Sequence, residues 1–253
     1  MKNLFLFLFL LVVFTSKAQD NRVSGLNSRQ FTKYWKVESE SPDYKVTFQG
    51  DTAEIVSPKG LTLWRKEKMS GKVTIEYDAC VVVESDGDRL SDLNCFWMAS
   101  DPQYPDNLWK REKWRSGIFL NCYSLQLYYL GYGGNHNSTT RFRRYDGDES
   151  GITNPKARPA ILKEYTDAGH LLKPNHWYHI KITNENNRVS YYIDGERLVD
   201  FRDAEPLREG WFGFRTTLSR TRITNFSYEC SSQEAAVVPL QWIGETPRQD
   251  KAV

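Results

Sequence analysis

The chain has 253 residues, and its 34 lysines and arginines are nearly balanced by 32 aspartates and glutamates. This near-neutral charge argues against a general nucleic-acid binder, which would carry a basic stripe or a high pI. Eight tryptophans and fourteen tyrosines help to raise the aromatic content to 14%. Most of these side chains are expected to fill β-sheet cores, but aromatic rings also stack on sugars.

The first twenty residues predict export from the cytoplasm. Lys2 precedes an apolar run from Leu4 to Phe14, and Ser16-Lys17-Ala18 then offers small residues where a signal peptidase cuts. We therefore expect a signal peptide over 1–18 and a periplasmic or secreted mature protein. The apolar run is shorter than the about twenty residues of a membrane-spanning helix, and no second long run follows, so no membrane segment is expected after cleavage.

The remaining sequence predicts one β domain over 19–230 and a poorly ordered tail over 231–253, where the strand pattern dissolves. An exported protein permits disulfides, and four cysteines allow three pairings that the sequence does not distinguish. Buried free thiols are an equal alternative. The cysteines are Cys80, Cys95, Cys122 and Cys230.

Apolar residues recur with period two along most of the chain, which predicts half-buried strands. The strongest hairpin pattern is Asp194-Gly195 between two alternating segments, because a type I′ turn needs positive φ at both central residues. No long helical pattern is present, and the segments 100–116 and 146–172 are predicted to be long loops. The predicted strands cover 73–83, 93–99, 118–130 (one or two strands), 139–145, 177–183, 189–193, 196–201, 211–217 and 222–228. So many short strands indicate a sandwich or jelly roll.

The C-terminal half contains three motifs of a known fold. They are Trp177-Tyr178-His179-Ile180, Tyr191-Tyr192-Ile193-Asp194-Gly195-Glu196 and Gly210-Trp211-Phe212-Gly213-Phe214-Arg215-Thr216. The region resembles the closing strands of concanavalin A-like and laminin-G-like domains. This resemblance implies an all-β jelly roll, a sandwich of two antiparallel sheets. It does not imply one function, because the fold hosts lectins, hydrolases and lyases.

Two further segments are similar to a narrower family. They are Asp92-Leu93-Asn94-Cys95-Phe96-Trp97-Met98-Ala99 and the stretch from Gly131-Tyr132-Gly133-Gly134 to Thr140-Arg141-Phe142-Arg143-Arg144-Tyr145. These segments resemble a secreted bacterial family of uncharacterised jelly-roll proteins related to the YesU-like proteins, over roughly 30–228. The resemblance implies a role near pectin- and uronate-degrading systems, with an acidic poly- or oligosaccharide as the partner.

The densest polar cluster follows a run of glycines, which let the backbone turn sharply or approach a ligand. A lyase acting on a uronate glycan has to neutralise the sugar carboxylate, remove the C5 proton and protonate the leaving oxygen. We predict His136 and Tyr145 as base and acid. Arg141, Arg143 and Asn135 are predicted to hold the carboxylate, because arginine suits a planar bidentate contact. The alternative is a hairpin with a solvated polar face.

A second polar group lies on the even-numbered faces of two early strands. It consists of Glu76, Asp78, Asp92 and Asn94. Two carboxylates across a cleft would suit glycoside hydrolysis, and Asp92 and Asn94 are also candidates for substrate binding. The lack of a Glu-x-Asp-x-Glu strand weakens the hydrolase hypothesis, and ordinary strand-surface charge is the alternative.

The remaining candidates for sugar contact are aromatic and basic. Arg215 and Trp211 share one face of a late strand, and Trp109 and Trp114 are candidates for the cleft rim. Core packing is an equal explanation for each. No H-x-x-x-H or H-E-x-x-H spacing occurs, so no metal site and no cofactor are expected, and a structural calcium has no support.

The sequence thus favours an exported polysaccharide lyase that cleaves a uronate-containing glycan by β-elimination. A glycoside hydrolase on the same scaffold and a non-catalytic carbohydrate-binding module are the alternatives. We expect a monomer.

Overall fold

The computed structural model describes residues 22–231, and the predicted signal peptide and the predicted tail beyond Ser231 lie outside them. The strands are β1 (Val23–Ser24), β2 (Trp35–Ser39), β3 (Lys45–Gln49), β4 (Thr52–Arg65), β5 (Met69–Ser70), β6 (Lys72–Val81), β7 (Leu93–Ser100), β8 (Gln126–Gly133), β9 (Thr139–Asp146), β10 (Lys163–Tyr165), β11 (Tyr178–Glu185), β12 (Arg188–Ile193), β13 (Glu196–Arg202) and β14 (Glu209–Ser231).

Helices are short and sit in the connections. Within 22–231 the α-helical segments are α1 (Phe31–Tyr34), α2 (Glu112–Arg115) and α3 (Ser150–Thr153), and Gly134–Asn137 forms a left-handed turn. The 3₁₀ turns are Leu108–Arg111, Leu120–Ser124, Pro155–Ala157 and Ala168–His170. No helix within 22–231 has the length and apolar character needed to cross a membrane.

The strands pair antiparallel in two facing sheets. The first sheet has the order β10–β9–β8–β7–β14–β4–β2. The second has the order β3–β4–β14–β6–β11–β12–β13. Both β4 and β14 run through the two sheets, so the sandwich is held by one continuous hydrogen-bonded path. This arrangement confirms the predicted all-β jelly roll.

β14 changes sheets at a bulge. Leu218 has a φ of 50°, and the pairing with β4 shifts register between Thr217 and Ser219. A bulge bends a strand and increases its twist, which turns the chain from β7 towards β6. The predicted strands 211–217 and 222–228 are therefore two halves of one strand.

The main core lies between the sheets, where aromatic rings from both sides meet. The Trp97 ring lies 6.1 Å from that of Tyr191, and the Phe142 ring lies 5.5 Å from that of Phe201. A second apolar cluster sits on the outer face of the first sheet, beneath the segment 101–125. This segment covers only part of that face and leaves the rest open.

The fold decides three further points. The β12–β13 hairpin is confirmed, and its turn residues Asp194 and Gly195 have φ values of 50° and 84°. The predicted strand over 118–130 begins only at Gln126, because 120–124 forms a 3₁₀ turn. All four cysteines are free thiols, and burial raises the pKa of Cys95 and Cys122 to about 12.

Candidate functional site

One row of residues crosses four strands on the outer face of the first sheet. Arg215 of β14 pairs with Asn94 of β7, Asn94 with Gly131 of β8, and Gly131 with Arg141 of β9. Because neighbouring strands lie about 4.8 Å apart, the row extends about 14 Å from Arg215 to Arg141. It forms the floor of a cleft that runs across the strands.

We call this feature the outer-face cleft, and its volume is about 450 Å³. It contains seven residues that the sequence predicted: Asp92, Asn94, Asn135, His136, Arg141, Arg143 and Arg215. The other lining residues are Glu40, Arg89, Phe119, Leu120, Tyr123, Tyr129, Gly131, Gly134, Thr139, Arg158 and Thr217. The structure therefore brings together candidates that are far apart along the chain.

One wall of the outer-face cleft is aromatic. The rings of Phe119 and Tyr129 lie 5.5 Å apart, and the Arg215 guanidinium lies 5.6 Å from the Phe119 ring. Burial, together with the nearby Asp92 carboxylate, raises the pKa of the Tyr129 hydroxyl above 10.0. The hydroxyl therefore stays protonated at neutral pH and can donate a hydrogen bond or a proton.

Gly131 makes room for Tyr129. A Cβ at position 131 would lie only 2.7 Å from the Tyr129 Cζ. We expect Gly131→Ala to displace Tyr129 and to lower the free energy of unfolding by about 1–3 kcal/mol, as overpacking does. Gly87→Ala is the control, since no heavy atom lies within 4 Å of its Cβ. Chemical denaturation of both variants checks this prediction, and equal stability of the two would contradict it.

The opposite wall is a left-handed turn. Asn135, His136 and Asn137 have φ values of 51°, 59° and 58°. Such conformations are strained by about 1–3 kcal/mol each in non-glycine residues, and they cluster at functional sites. The Asn137 side chain holds the turn by donating from Nδ2 to Leu172 O (2.9 Å) and accepting at Oδ1 from Leu172 N (2.8 Å). His136 is thereby kept exposed at the edge of the cleft.

The charge of the outer-face cleft is strongly positive. Five arginines line it, against the carboxylates of Glu40 and Asp92. Among residues 22–231, Arg143, Arg158 and Arg215 form no ion pair. Their guanidinium groups instead donate to backbone carbonyls, those of Pro159, Gly151 and Gly117 respectively. Carbonyl partners fix these side chains outside any ion pair. The Glu40 carboxylate is nevertheless near Arg215, since Glu40 Oε1 and Arg215 Nη2 would both lie within 2.5 Å of a Cβ on Gly60.

The two other arginines are paired. Arg141 forms an ion pair with Glu164 of β10, and Arg89 lies 3.1 Å from Asp92. Arg141 therefore contributes less uncompensated charge than its neighbour Arg143 on the same strand.

Asp92 fixes the orientation of Asn94. The Asn94 Nδ2 donates to Asp92 Oδ1 at 3.2 Å, and a carboxylate can only accept. Asn94 Oδ1 is left buried, with no partner among the described residues. The Asn94 side chain is therefore held in one orientation at the floor of the cleft, with its oxygen turned into the protein.

The structure corrects two predicted site residues. Tyr145 is fully buried, and its ring packs 5.2 Å from that of Tyr123, so it cannot reach a ligand as acid or base. Trp211 is buried too, and its Nε1 donates to Lys66 O at 3.1 Å. Both residues lie on the predicted face, but in the part that the segment 101–125 covers.

The structure does not bring together the predicted cluster of carboxylates. Glu76 and Asp78 lie on β6 of the second sheet, away from the outer-face cleft. Glu76 pairs with Lys181 at 2.9 Å, and Asp78 with His179 at 2.7 Å. This separation corrects the expectation that they line one cleft with Asp92.

The two loop tryptophans do not line the cleft either. Trp109 is half-buried with its ring 6.1 Å from that of Trp211, and the Trp114 ring lies 4.9 Å from the Arg111 guanidinium.

Sequence reasoning missed several lining residues. Tyr129, Phe119 and Tyr123 lie in a stretch interpreted as strand, and aromatic residues in strands are ordinarily explained by packing. Arg158 lies in the segment 146–172, which was predicted only to be a long loop. In the described part of the chain, no group of three His, Cys, Asp or Glu side chains could hold a metal ion.

Solved structures with a similar fold cover most of the chain. A protein of unknown function with a galectin-like fold from Bacillus subtilis has 16% identity and a TM-score of 0.65, over 84% of this chain and 96% of that one. The carbohydrate-binding module CBM66 from Bacillus subtilis has 16% identity and a TM-score of 0.51, over 77% and 94%. The exoplasmic/lumenal domain of VIP36, bound to Ca²⁺ and Man3GlcNAc, has 9% identity and a TM-score of 0.54, over 86% and 91%.

At these identities the likeness establishes the fold. No curated protein matches the sequence. One family model does match, that of a domain of unknown function, DUF6250, over residues 55–226. Since this match spans more than half of the chain, the protein belongs to the DUF6250 family.

Proposed function

We propose that the protein binds an acidic poly- or oligosaccharide in the outer-face cleft and cleaves it by β-elimination. One observation carries the binding part of the proposal. Arg143, Arg158 and Arg215 face the same cleft without an ion pair among residues 22–231, beside the aromatic wall of Phe119 and Tyr129. Guanidinium groups suit carboxylates, and aromatic rings suit the apolar faces of sugars.

The proposed chemistry assigns each step to a residue of the cleft. Arg143 neutralises the carboxylate of the reacting sugar and so acidifies its C5 proton. His136 removes that proton, the C4–C5 double bond forms, and the bond from C4 to the leaving oxygen breaks. Tyr129, whose hydroxyl is protonated at neutral pH, donates its proton to that oxygen. Tyr129 thus takes the role that the sequence predicted for Tyr145.

A non-catalytic carbohydrate-binding protein is the second candidate. It is favoured by the likeness of the fold to a carbohydrate-binding module and to a lumenal domain in a sugar-bound form. Such a protein would use the same arginines and aromatic wall but would release its ligand unchanged. The resemblance to YesU-like proteins and the predicted signal peptide lead us to propose further that the ligand is met outside the cytoplasm.

The test is incubation of the purified protein with uronate-containing and neutral polysaccharides, followed by ultraviolet absorbance and a reducing-sugar assay. We expect new absorbance from unsaturated uronate. His136→Asn should abolish it, because the variant lacks the base. Asparagine is chosen because it tolerates the left-handed φ of 59° at this position. His176→Asn is the control, since His176 is exposed away from the outer-face cleft.

The remaining outcomes separate the candidates. Retention on acidic glycans without any new absorbance would identify a binding protein. A lack of both absorbance and retention would contradict the proposal as a whole.

A further inference from the structure

The arginines that form no ion pair among residues 22–231 lie at two ends of the outer-face cleft. Arg215 belongs to β14, whereas Arg143 belongs to β9. β7 and β8 separate these strands, and Arg143 lies two residues beyond Arg141, the residue of β9 in line with Arg215. Three strand spacings and this offset along β9 put about 16 Å between the two backbone positions. Each end therefore offers its own place for a negative charge.

The Arg215 end is rigid and deep. Arg215 is only 3% exposed, and its guanidinium is held by the carbonyl of Gly117 and the ring of Phe119. A side chain on Gly60 would fill the space beside it, because a Cβ there would lie 2.5 Å from Arg215 Nη2. The guanidinium is thus fixed before any ligand arrives.

The Arg143 end is a pair of cations over an aromatic ring. The Arg158 guanidinium lies 6.0 Å from the Tyr123 ring. Burial raises the pKa of Tyr123, and both Arg158 and Arg143 oppose this rise, so both charges lie near that hydroxyl. Arg158 is exposed, whereas Arg143 is half-buried.

The floor between the two ends holds Asn94, Gly131 and the Tyr129 ring. It carries no net charge, because the Asp92 carboxylate beside Asn94 is paired with Arg89 at 3.1 Å. The order across the strands is therefore cationic, neutral and cationic. A single sugar ring is too short to reach both ends, whereas a chain of sugars laid across the strands can do so.

We propose that the outer-face cleft is selective for a chain of three or more sugars that carries repeated acidic groups, one at the Arg215 end and one at the Arg143 end. This inference rests on the proposed function and adds the length, direction and charge spacing of the ligand. Two anchors on one chain raise affinity, because the second contact becomes intramolecular once the first has formed.

The experiment measures dissociation constants by calorimetry for oligogalacturonates and oligomannuronates of one to five residues. Neutral galacto-oligosaccharides of the same lengths serve as the comparison. The proteins are the wild type, Arg143→Gln, Arg215→Lys and the control Arg29→Gln, which removes an exposed charge outside the cleft. Arg215→Lys is used because it keeps a cation at a buried position where a neutral residue could unfold the chain.

We expect affinity for an acidic series to rise at least about tenfold at the length that reaches both ends, as a second intramolecular contact allows. Arg143→Gln should remove this step. Arg215→Lys should make it smaller, because lysine keeps the charge but cannot make a bidentate contact with a carboxylate. Arg29→Gln should keep the step. Neutral chains should show no step.

Two results would overturn the inference. Acidic ligands that bind with an affinity independent of length would leave the proposed binding function intact but reject the two-ended site. The absence of binding by any acidic oligosaccharide would reject the proposed function itself, and this inference with it.

Discussion

Replacement of Arg115 by alanine is expected to lower the free energy of unfolding by about 3–5 kcal/mol, because it leaves the buried Glu38 carboxylate without its paired cation. Arg115 is fully buried, with Nη2 3.1 Å from Glu38 Oε2 and Nη1 3.7 Å from Asp101 Oδ2. Its Nη2 also donates to Leu108 O at 2.6 Å. Chemical denaturation measures the loss, and a loss below about 1 kcal/mol would contradict the prediction.

The same variant should also change ligand binding. Arg115 anchors the segment 101–125, which contributes Phe119 and Tyr123 to the outer-face cleft. We therefore expect Arg115→Ala to weaken ligand binding although Arg115 does not line the cleft. Arg29→Ala is the control, because substitution of an exposed residue changes stability by no more than about 0.5 kcal/mol.

The pH dependence of this loss has a definite sign. Burial raises the pKa of Glu38 above its ordinary value of 4.5, although Arg115 opposes the rise. Because the pKa of Glu38 is higher in the folded state than in the unfolded state, this group stabilises the folded protein below pH 4.5. The stabilisation is lost as the pH rises through the folded-state pKa. Removal of Arg115 should raise the pKa of Glu38 further. The difference in stability between the wild type and Arg115→Ala should therefore shrink as the pH is lowered towards 4.5.

Replacement of Tyr129 by phenylalanine is expected to slow cleavage by about 10²–10⁴-fold, the usual contribution of a general acid. The ring remains, so ligand affinity should change little. Tyr145→Phe is the matched control from the same aromatic cluster, where the rings of the two tyrosines lie 5.8 Å apart. The Tyr145 hydroxyl is buried and has no partner among the described residues, so its loss should leave cleavage unchanged.

Initial rates and dissociation constants for the two variants test whether the Tyr129 hydroxyl acts in cleavage. Equal rates for Tyr129→Phe and the wild type would assign Tyr129 to the wall of the site alone. A loss of rate in Tyr145→Phe would show that cleavage depends on the packing of the aromatic cluster rather than on the Tyr129 hydroxyl. The predicted roles of Arg141 and Asn135 can be tested in the same assay, since both line the outer-face cleft.

The sequence by itself determined the class of fold and the faces of the strands. Alternation with period two is a local property, because successive side chains of a strand point to opposite sides. It correctly placed Arg141, Arg143 and Tyr145 on one face of β9, and the Asp194-Gly195 turn between β12 and β13. It could not indicate the left-handed turn at His136, which depends on the contact between Asn137 and the distant Leu172.

Only the tertiary structure decided which part of a face is open and which strands share a sheet. Arg143 and Tyr145 have the same orientation, yet the segment 101–125 covers Tyr145 and leaves Arg143 in the outer-face cleft. Asp78 and Asn94 have similar strand patterns, yet β6 and β7 belong to different sheets. Both outcomes depend on long-range packing and on the bend of β14 at Leu218. Neither produces a periodic pattern in the local sequence.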